Sequence, residues 1–230
     1  MKSDIVYILK NNYTSVEIIY SIRSVCANFP YRQIWFYGGE PENITADHVV
    51  KFVQDGHNKW QKVNNTIRKI CHNDEITEDF WLFNDDFFVM KKVKKVEPMV
   101  GGTLWMRAQT ISKIYGNHDT KYSNQLRDCA RTLRDNGYDR LDYALHVPML
   151  INRKKALMTL DKFPQCPMFR SLYGNHHKIG GVITKDVKIQ NDYDVPSGDE
   201  VFLSTSDDSF TNGKVGEYIR NAFPDKCKYE

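Results

Sequence analysis

The chain has 230 residues and a net charge of +3, with 41% hydrophobic and 27% charged residues. That composition is ordinary for a globular protein and excludes the disordered and fibrous classes. No apolar run approaches the roughly 18 residues that a membrane span needs, so no membrane-spanning segment is expected.

The charge is too small to make the whole chain a nucleic-acid binder, but it is unevenly spread. Residues 121–155 hold eight Lys/Arg against four Asp, and residues 186–210 hold seven acids against one Lys. This asymmetry suggests an anionic ligand near the basic segment. Met1-Lys2-Ser3-Asp4 leads directly into the apolar run Ile5–Leu9, which is too short and too early for a signal-peptide core. Cys26, Cys71, Cys129, Cys166 and Cys227 are odd in number and scattered, without a Cys-x-x-Cys pair. Both features imply a cytoplasmic chain with reduced thiols. Sequons at Asn12, Asn43 and Asn64 carry no weight without an export signal.

In chain order, Asp4–Leu9 is a continuous apolar run, the pattern of a strand covered on both faces in a parallel sheet. Thr14-x-x-Glu17 reads as a capping box opening a helix over about Ser15–Asn28, with Ile18, Ile22, Val25 and Phe29 at helical spacing. Gln33–Tyr37 and His48–Val53 read as strands, separated by the turn Gly38-Gly39-Glu40-Pro41. Strand, helix, strand with short links is a βαβ unit, which builds parallel sheets with ligands at the carboxyl ends of the strands. Trp60–His72 reads as a second helix, and Phe80–Phe83 as a strand running into Asn84-Asp85-Asp86 and then Phe87–Met90. Further helices are expected over Ser123–Asn136 and Asn152–Lys162. Beyond residue 164 the chain reads as loop-rich, with short strands at Gly181–Ile189 and Glu200–Leu203.

Asn84-Asp85-Asp86 is the most informative feature. Adjacent carboxylates between strongly apolar segments are costly unless they hold a cation or hydrogen bonds. A hard divalent ion takes one or two carboxylates plus substrate phosphate oxygens, and at the end of a parallel strand it would neutralise a diphosphate leaving group; a plain hairpin turn is the alternative. His146-Val147-Pro148 gains interest from Arg140, Asp142 and Arg153 around it, as a base or a phosphate ligand. Lys59, Lys62, Asn64, Asn65 and Arg68 form a polar group on the second helix, and Asp207-Asp208 reads as a polar turn that could contact metal or sugar.

The order of these blocks is itself a pattern. Glu17-Ile18-Ile19-Tyr20-Ser21-Ile22-Arg23-Ser24, then Pro30, Asn64-Asn65, Phe83-Asn84-Asp85-Asp86-Phe87-Phe88 and His146-Val147-Pro148 together resemble the Stealth family of sugar-phosphate transferases, over residues 4–175. The family's opening Trp and Asp have no counterpart in Val6–Asn12, and its last arginine-bearing block finds its nearest match at Arg170. The resemblance implies an α/β, GT-A-like (Rossmann-like) fold: a mostly parallel sheet flanked by helices, with an α-rich and loop-rich C-terminal half. It further implies one catalytic domain over 1–230, with a nucleotide-sugar-binding core over 1–90 and acceptor-side elements over 91–230.

The expected activity is a metal-dependent glycosyltransferase using a nucleotide-sugar donor, with a UDP-sugar foremost, and Mn²⁺ or Mg²⁺. A cell-surface glycan is the favoured acceptor. Hexose-1-phosphate transfer and glycosylation of a modified DNA base are the alternatives, and a nucleotide- or carbohydrate-binding module is the non-enzymatic one. In this reading Asp86 and Asp85 ligate the metal, and Asp85, His146 and Asp142 are catalytic. Lys10, Asn64, Arg68, Arg140, Arg153 and Arg170 bind the donor. No feature of the sequence sets an oligomeric state.

Overall fold

The computed structural model describes residues 2–11 and 13–230; Met1 and Asn12, the latter heading the first sequon, lie outside them. The elements are β1 (Asp4–Leu9), α1 (Glu17–Asn28), β2 (Ile34–Gly38), β3 (His48–Lys51), α2 (Lys59–Cys71), β4 (Asp79–Phe83) and β5 (Phe87–Val89). They continue as β6 (Met99–Val100), α3 (Leu104–Ile114), α4 (Lys121–Asp135), β7 (Met149–Asn152), α5 (Arg153–Lys162) and α6 (Phe169–His176). The chain ends with β8 (Val182–Ile183), β9 (Lys188–Ile189), β10 (Phe202–Thr205), α7 (Asp207–Thr211) and α8 (Lys214–Ala222).

The fold is mixed α/β, built on a central sheet of order β3-β2-β1-β4-β7. Its first four strands run parallel, and β7 pairs antiparallel to β4. The central strands are buried on both faces, so their side chains alternate between two cores. Ile5, Tyr7, Phe36 and Phe83 meet Ile18, Ile22 and Val25 of α1 on one face. Val6, Trp35, Tyr37 and Phe80 meet Ile67 and Ile70 of α2 and Leu160 of α5 on the other. A smaller sheet of order β5-β10-β9 packs on α7 and α8 through Phe88, Leu203, Phe210 and Ile219. Among the described residues no helix is long and apolar enough to cross a membrane.

The segment beyond residue 164 is loop-rich as expected, but it also carries three helices, α6, α7 and α8, that the sequence reading did not place. Their apolar positions, such as Val215 and Ile219, are few per helix, which left the periodicity too short to read. A capping box does not open α1: the helix begins at Glu17 behind Val16, which makes no side-chain cap, and the Glu17 carboxylate turns inward to accept from Thr205 at 2.6 Å.

The amino end of the sheet is fastened by Asp4, which is fully buried. It accepts two bonds from Arg32, at 2.7 and 2.6 Å, and others from Trp35 Nε1 at 3.3 Å and the Thr77 amide at 3.1 Å. Removing the buried carboxylate strands the Trp35 and Thr77 donors, while the half-exposed Arg32 returns to water. Asp4→Ala should therefore lower the unfolding free energy by about 2 kcal/mol, read as a reduced urea midpoint at unchanged slope; an unchanged midpoint would show that the network contributes nothing net.

Candidate functional site

β2 and β3 lie on one side of β1 and β4 on the other, so the strand order reverses between β1 and β4. In open α/β sheets the crevice at the carboxyl ends of such a pair of strands is where ligands bind. Here Lys10 follows β1, and Asn84-Asp85-Asp86 follows β4.

The turn is held in place by α1. The Asn84 carbonyl accepts from the Phe87 amide at 3.2 Å and closes the turn. Ser21 Oγ donates to the Phe87 carbonyl at 2.6 Å, Ser24 Oγ accepts from the Val89 amide at 2.9 Å, and Asn28 Nδ2 donates to the Val89 carbonyl at 2.8 Å. Polar residues on the buried side of α1 thus fix β5, and with it the direction in which the two aspartates leave β4.

Asp86 is almost fully buried. Its Oδ2 accepts from Lys188 Nζ at 2.8 Å and from Ser204 Oγ at 2.9 Å. Lys188 and Ser204 face one another in the β9–β10 register, so the small sheet delivers both donors together. Burial raises the Asp85 carboxyl above its ordinary range; the adjacent Tyr13 hydroxyl opposes this most strongly, the Asp86 charge adds to it, and Lys10 opposes it more weakly. The Tyr13 hydroxyl is buried against Asp85 without meeting it, or any other group among the described residues, at full hydrogen-bond geometry. Burial likewise pushes Glu17 up to about 8; Thr205 opposes this, while Asp207, Asp86 and Asp85 reinforce it. Glu17 is therefore neutral at pH 7.

Beside this turn stands a second group. The rings of His146 and Phe87 meet edge to face at 6.3 Å. His146 Nδ1 lies 3.0 and 2.9 Å from the two carboxylate oxygens of Asp186, which also accepts the His146 amide at 3.1 Å and Arg107 at 2.6 Å. Burial works against the Asp186 charge, but His146 and then Arg107 outweigh it and hold the carboxyl well below its usual range. An ionised carboxylate only accepts, so the Nδ1 proton faces Asp186, and in the neutral imidazole Nε2 is the acceptor.

Arg170 donates to the carbonyls of Leu145 and Val147, the two neighbours of His146, and its guanidinium stands 5.7 Å from the Phe87 ring centre. Burial draws Arg170 down to about 10, and the charges of Asp142, Asp186 and Asp86 oppose this.

Of the residues expected in the site, Lys10, Asp85, Asp86 and His146 gather at the crevice. Arg170 is beside it, but its donors hold backbone carbonyls, which makes it a positioning residue for His146 rather than a donor ligand. Asp142 is fully buried, accepts from the Ala144 amide at 2.9 Å, has no partner for its Oδ2 among the described residues, and feels the charges of Arg107, Asp186 and Arg170.

The remaining donor-binding expectations are not met by the placement of the side chains. Arg153 sits at the opposite, amino end of β4, paired with Asp74 and bonded to the Asn73 carbonyl. Arg68 pairs with Asp161 of α5, and Asn64 donates to the Cys166 carbonyl at 3.4 Å, so both serve the packing around α2. Arg140 lies in a separate cavity with Arg131 and Arg134. Conversely, Glu17, Lys188, Ser204, Arg107 and Asp186 belong to the site without having been expected there. Lys188 was the one legible signal, being the single lysine in the acidic segment 186–210.

Among the described residues no three His, Cys, Asp or Glu side chains converge to cage an ion. The donor set is two carboxylates, one of them half-engaged by Lys188, beside an unpartnered tyrosyl hydroxyl. That set fits a hard cation whose remaining ligands come from a substrate's phosphates and water, not one enclosed by protein. Compared with protein-family models and with curated proteins, the chain matches none.

Glu17 holds its proton more tightly folded than unfolded, so its stabilising contribution is complete below the ordinary glutamate range and is lost as pH rises toward about 8. Glu17→Gln mimics the neutral acid. It should flatten the fall in melting temperature between about pH 5 and 8 relative to the unmodified chain, and an unaltered slope would show Glu17 to be ionised throughout.

Proposed function

We propose that the protein is a nucleotide-sugar-dependent glycosyltransferase of GT-A-like architecture, moving a sugar to an acceptor hydroxyl. The observation that carries this reading is the position of Asp85 and Asp86 at the strand-order reversal between β1 and β4, opposite Lys10 and next to the His146–Asp186 pair. A diphosphate at this crevice would meet the Lys10 ammonium at its edge and the Lys188 ammonium beside Asp86. Asp85 and the second oxygen of Asp86 would hold Mn²⁺ or Mg²⁺, which supplies charge neutralisation on the departing diphosphate.

The chain's own part in the reaction follows from the hydrogen bonds. Asp186 fixes the tautomer and orientation of His146. Nε2 can then take the proton from the acceptor hydroxyl as that oxygen attacks the sugar's anomeric carbon. The bond to the diphosphate oxygen breaks in the same step, and the imidazolium formed is stabilised by the Asp186 charge. Arg170 keeps the His146 loop from drifting by holding the carbonyl on either side of it.

Three measurements test this reading. A UDP-, GDP-, CDP- or dTDP-sugar should raise the melting temperature only with Mn²⁺ present, and Asp86→Ala should abolish the rise; no shift with any donor would reduce Asn84-Asp85-Asp86 to a structural turn. His146→Ala should lower kcat by about 10²–10⁴-fold with little change in donor affinity, and Asp186→Asn should lower it in the same sense through the tautomer. Unchanged kinetics in both would place the base elsewhere. The leaving product separates the two transfer chemistries, because a nucleoside monophosphate instead of a diphosphate would mean that sugar phosphate is transferred.

A further inference from the structure

A second concentration of functional side chains lies apart from the crevice, between α3 and α4. A cavity of about 250 Å³ opens there, lined by Thr103, Trp105, Ala130, Arg131, Arg134 and Arg140. Its size suits one unit of a polymer or one small ligand. The Trp105 side chain forms part of the wall and is 45% exposed.

The cationic groups are available. Arg131 and Arg134 are engaged only by exposed carboxylates, Asp128 and Asp135. Such pairs are worth about 0–1 kcal/mol and give way readily to a better anion. Arg140 joins no ion pair among the described residues, and its carbonyl is the group used to anchor the fold, accepting from the Leu104 amide at 2.9 Å. Beyond the cavity Arg127, one turn before Arg131 on α4, places its guanidinium 5.8 Å from the Trp105 ring centre, but it is largely buried and held by Asp119 at 2.7 Å and Ser112 at 3.0 Å. Positions 127, 131 and 134 are separated by four and three residues, so they share one face of the helix.

Each feature narrows the ligand. Converging guanidinium groups select oxyanions, and phosphate above others, because their planar forks donate in pairs. A row that outruns its cavity suits a polymer charged at every unit more than an isolated ion. A half-exposed indole among those charges offers a flat surface on which a base can stack. Phosphate-binding cations interleaved with an aromatic platform are what a single strand of nucleic acid requires.

We propose that the Trp105–Arg140 cavity, with the arginine row of α4, binds single-stranded nucleic acid, one phosphate among Arg131, Arg134 and Arg140 and a base against Trp105. The inference stands on this face alone and goes beyond the transfer chemistry proposed for the crevice. The two are neighbours in the chain, since Trp105 is two residues from Arg107 and Arg140 two residues from Asp142.

The test is fluorescence anisotropy of a labelled oligothymidylate with the full chain, at about 50 to 200 mM salt. Binding should weaken with salt at a logarithmic slope of about −0.7 for the one phosphate held in the cavity, and by about as much again for each further phosphate the arginine row meets. The triple variant Arg131→Gln, Arg134→Gln, Arg140→Gln should weaken it at least tenfold, and Trp105→Ala at least fivefold. Both variants alter exposed side chains, and their melting temperatures verify folding; Arg140→Gln alone should still give a measurable loss. Asp85→Asn should bind the strand as the unmodified chain does, so a failed donor site and a failed strand site give different results. Absence of binding, binding unaffected by these substitutions, or equal affinity for a phosphate polymer without bases such as poly(glycerol phosphate) would each overturn the proposal, the last in favour of a phosphodiester-linked glycan.

Discussion

The buried negative charge at the carboxyl end of β4 constrains the rest of the structure. Asp86 and Glu17 are buried with Asp85 half-buried beside them, and an uncompensated buried carboxylate is costly enough that each needs its own answer. Asp86 is answered by a cation and a hydroxyl, Lys188 and Ser204, from strands more than a hundred residues further on. Glu17 is answered by retaining its proton and by the Thr205 hydroxyl. Asp85 has the weakest answer, a tyrosine across from it and the distant Lys10 charge, and its carboxyl is raised accordingly. A group left this poorly compensated in an otherwise well-bonded region is the natural place for a ligand's charge to enter.

That constraint explains the architecture around it. The small sheet β5-β10-β9 has few strands and little area of its own, yet it sits where β5 leaves the aspartate turn, and its inward polar residues are those that satisfy Asp86 and Glu17. The same packing brings the segment after residue 180 back across the molecule, so that Asp186 reaches His146 two residues before Lys188 reaches Asp86. One stretch of chain therefore orients His146 and pairs with Asp86, and a change in the seating of β9 would disturb both at once.

Much of this was legible in the sequence, and the rest was not for identifiable reasons. The central strands announce themselves because a strand buried on both faces must be apolar throughout, as in Ile5–Leu9 and Phe80–Phe83. The Asn84-Asp85-Asp86 block stands out because charge is unexpected between two such runs. His146 could be singled out, but its partner could not: Asp186 lies in an acidic segment whose other members are mostly solvated, and nothing local marks the one that folds inward. Glu17 was misread because its spacing from Thr14 imitates a helix cap while its side chain serves a tertiary contact. Arg68 and Arg153 share the residue type expected of phosphate ligands, but their partners Asp161 and Asp74 make them packing and end-fastening groups. Residue type indicates what a side chain is able to bind, and only the fold decides which partner reaches it.

The uneven charge of the sequence has a corresponding resolution. A basic middle and an acidic tail would be expected to neutralise one another on folding, but the tail's buried pairs reach outside the basic segment, Asp186 to Arg107 and Lys188 to Asp86. The arginines of α4 stand outside this exchange. Arg127 is held by Asp119, and Arg131 and Arg134 by acids of their own helix, so none of them is answered by the tail. The exposed pairs of Arg131 and Arg134 add little to stability, so these two arginines, with Arg140, remain at the surface beside an indole. The segments that build the crevice are thus rich in mutual compensation, whereas the α3–α4 face keeps positive charge in reserve for something outside the chain.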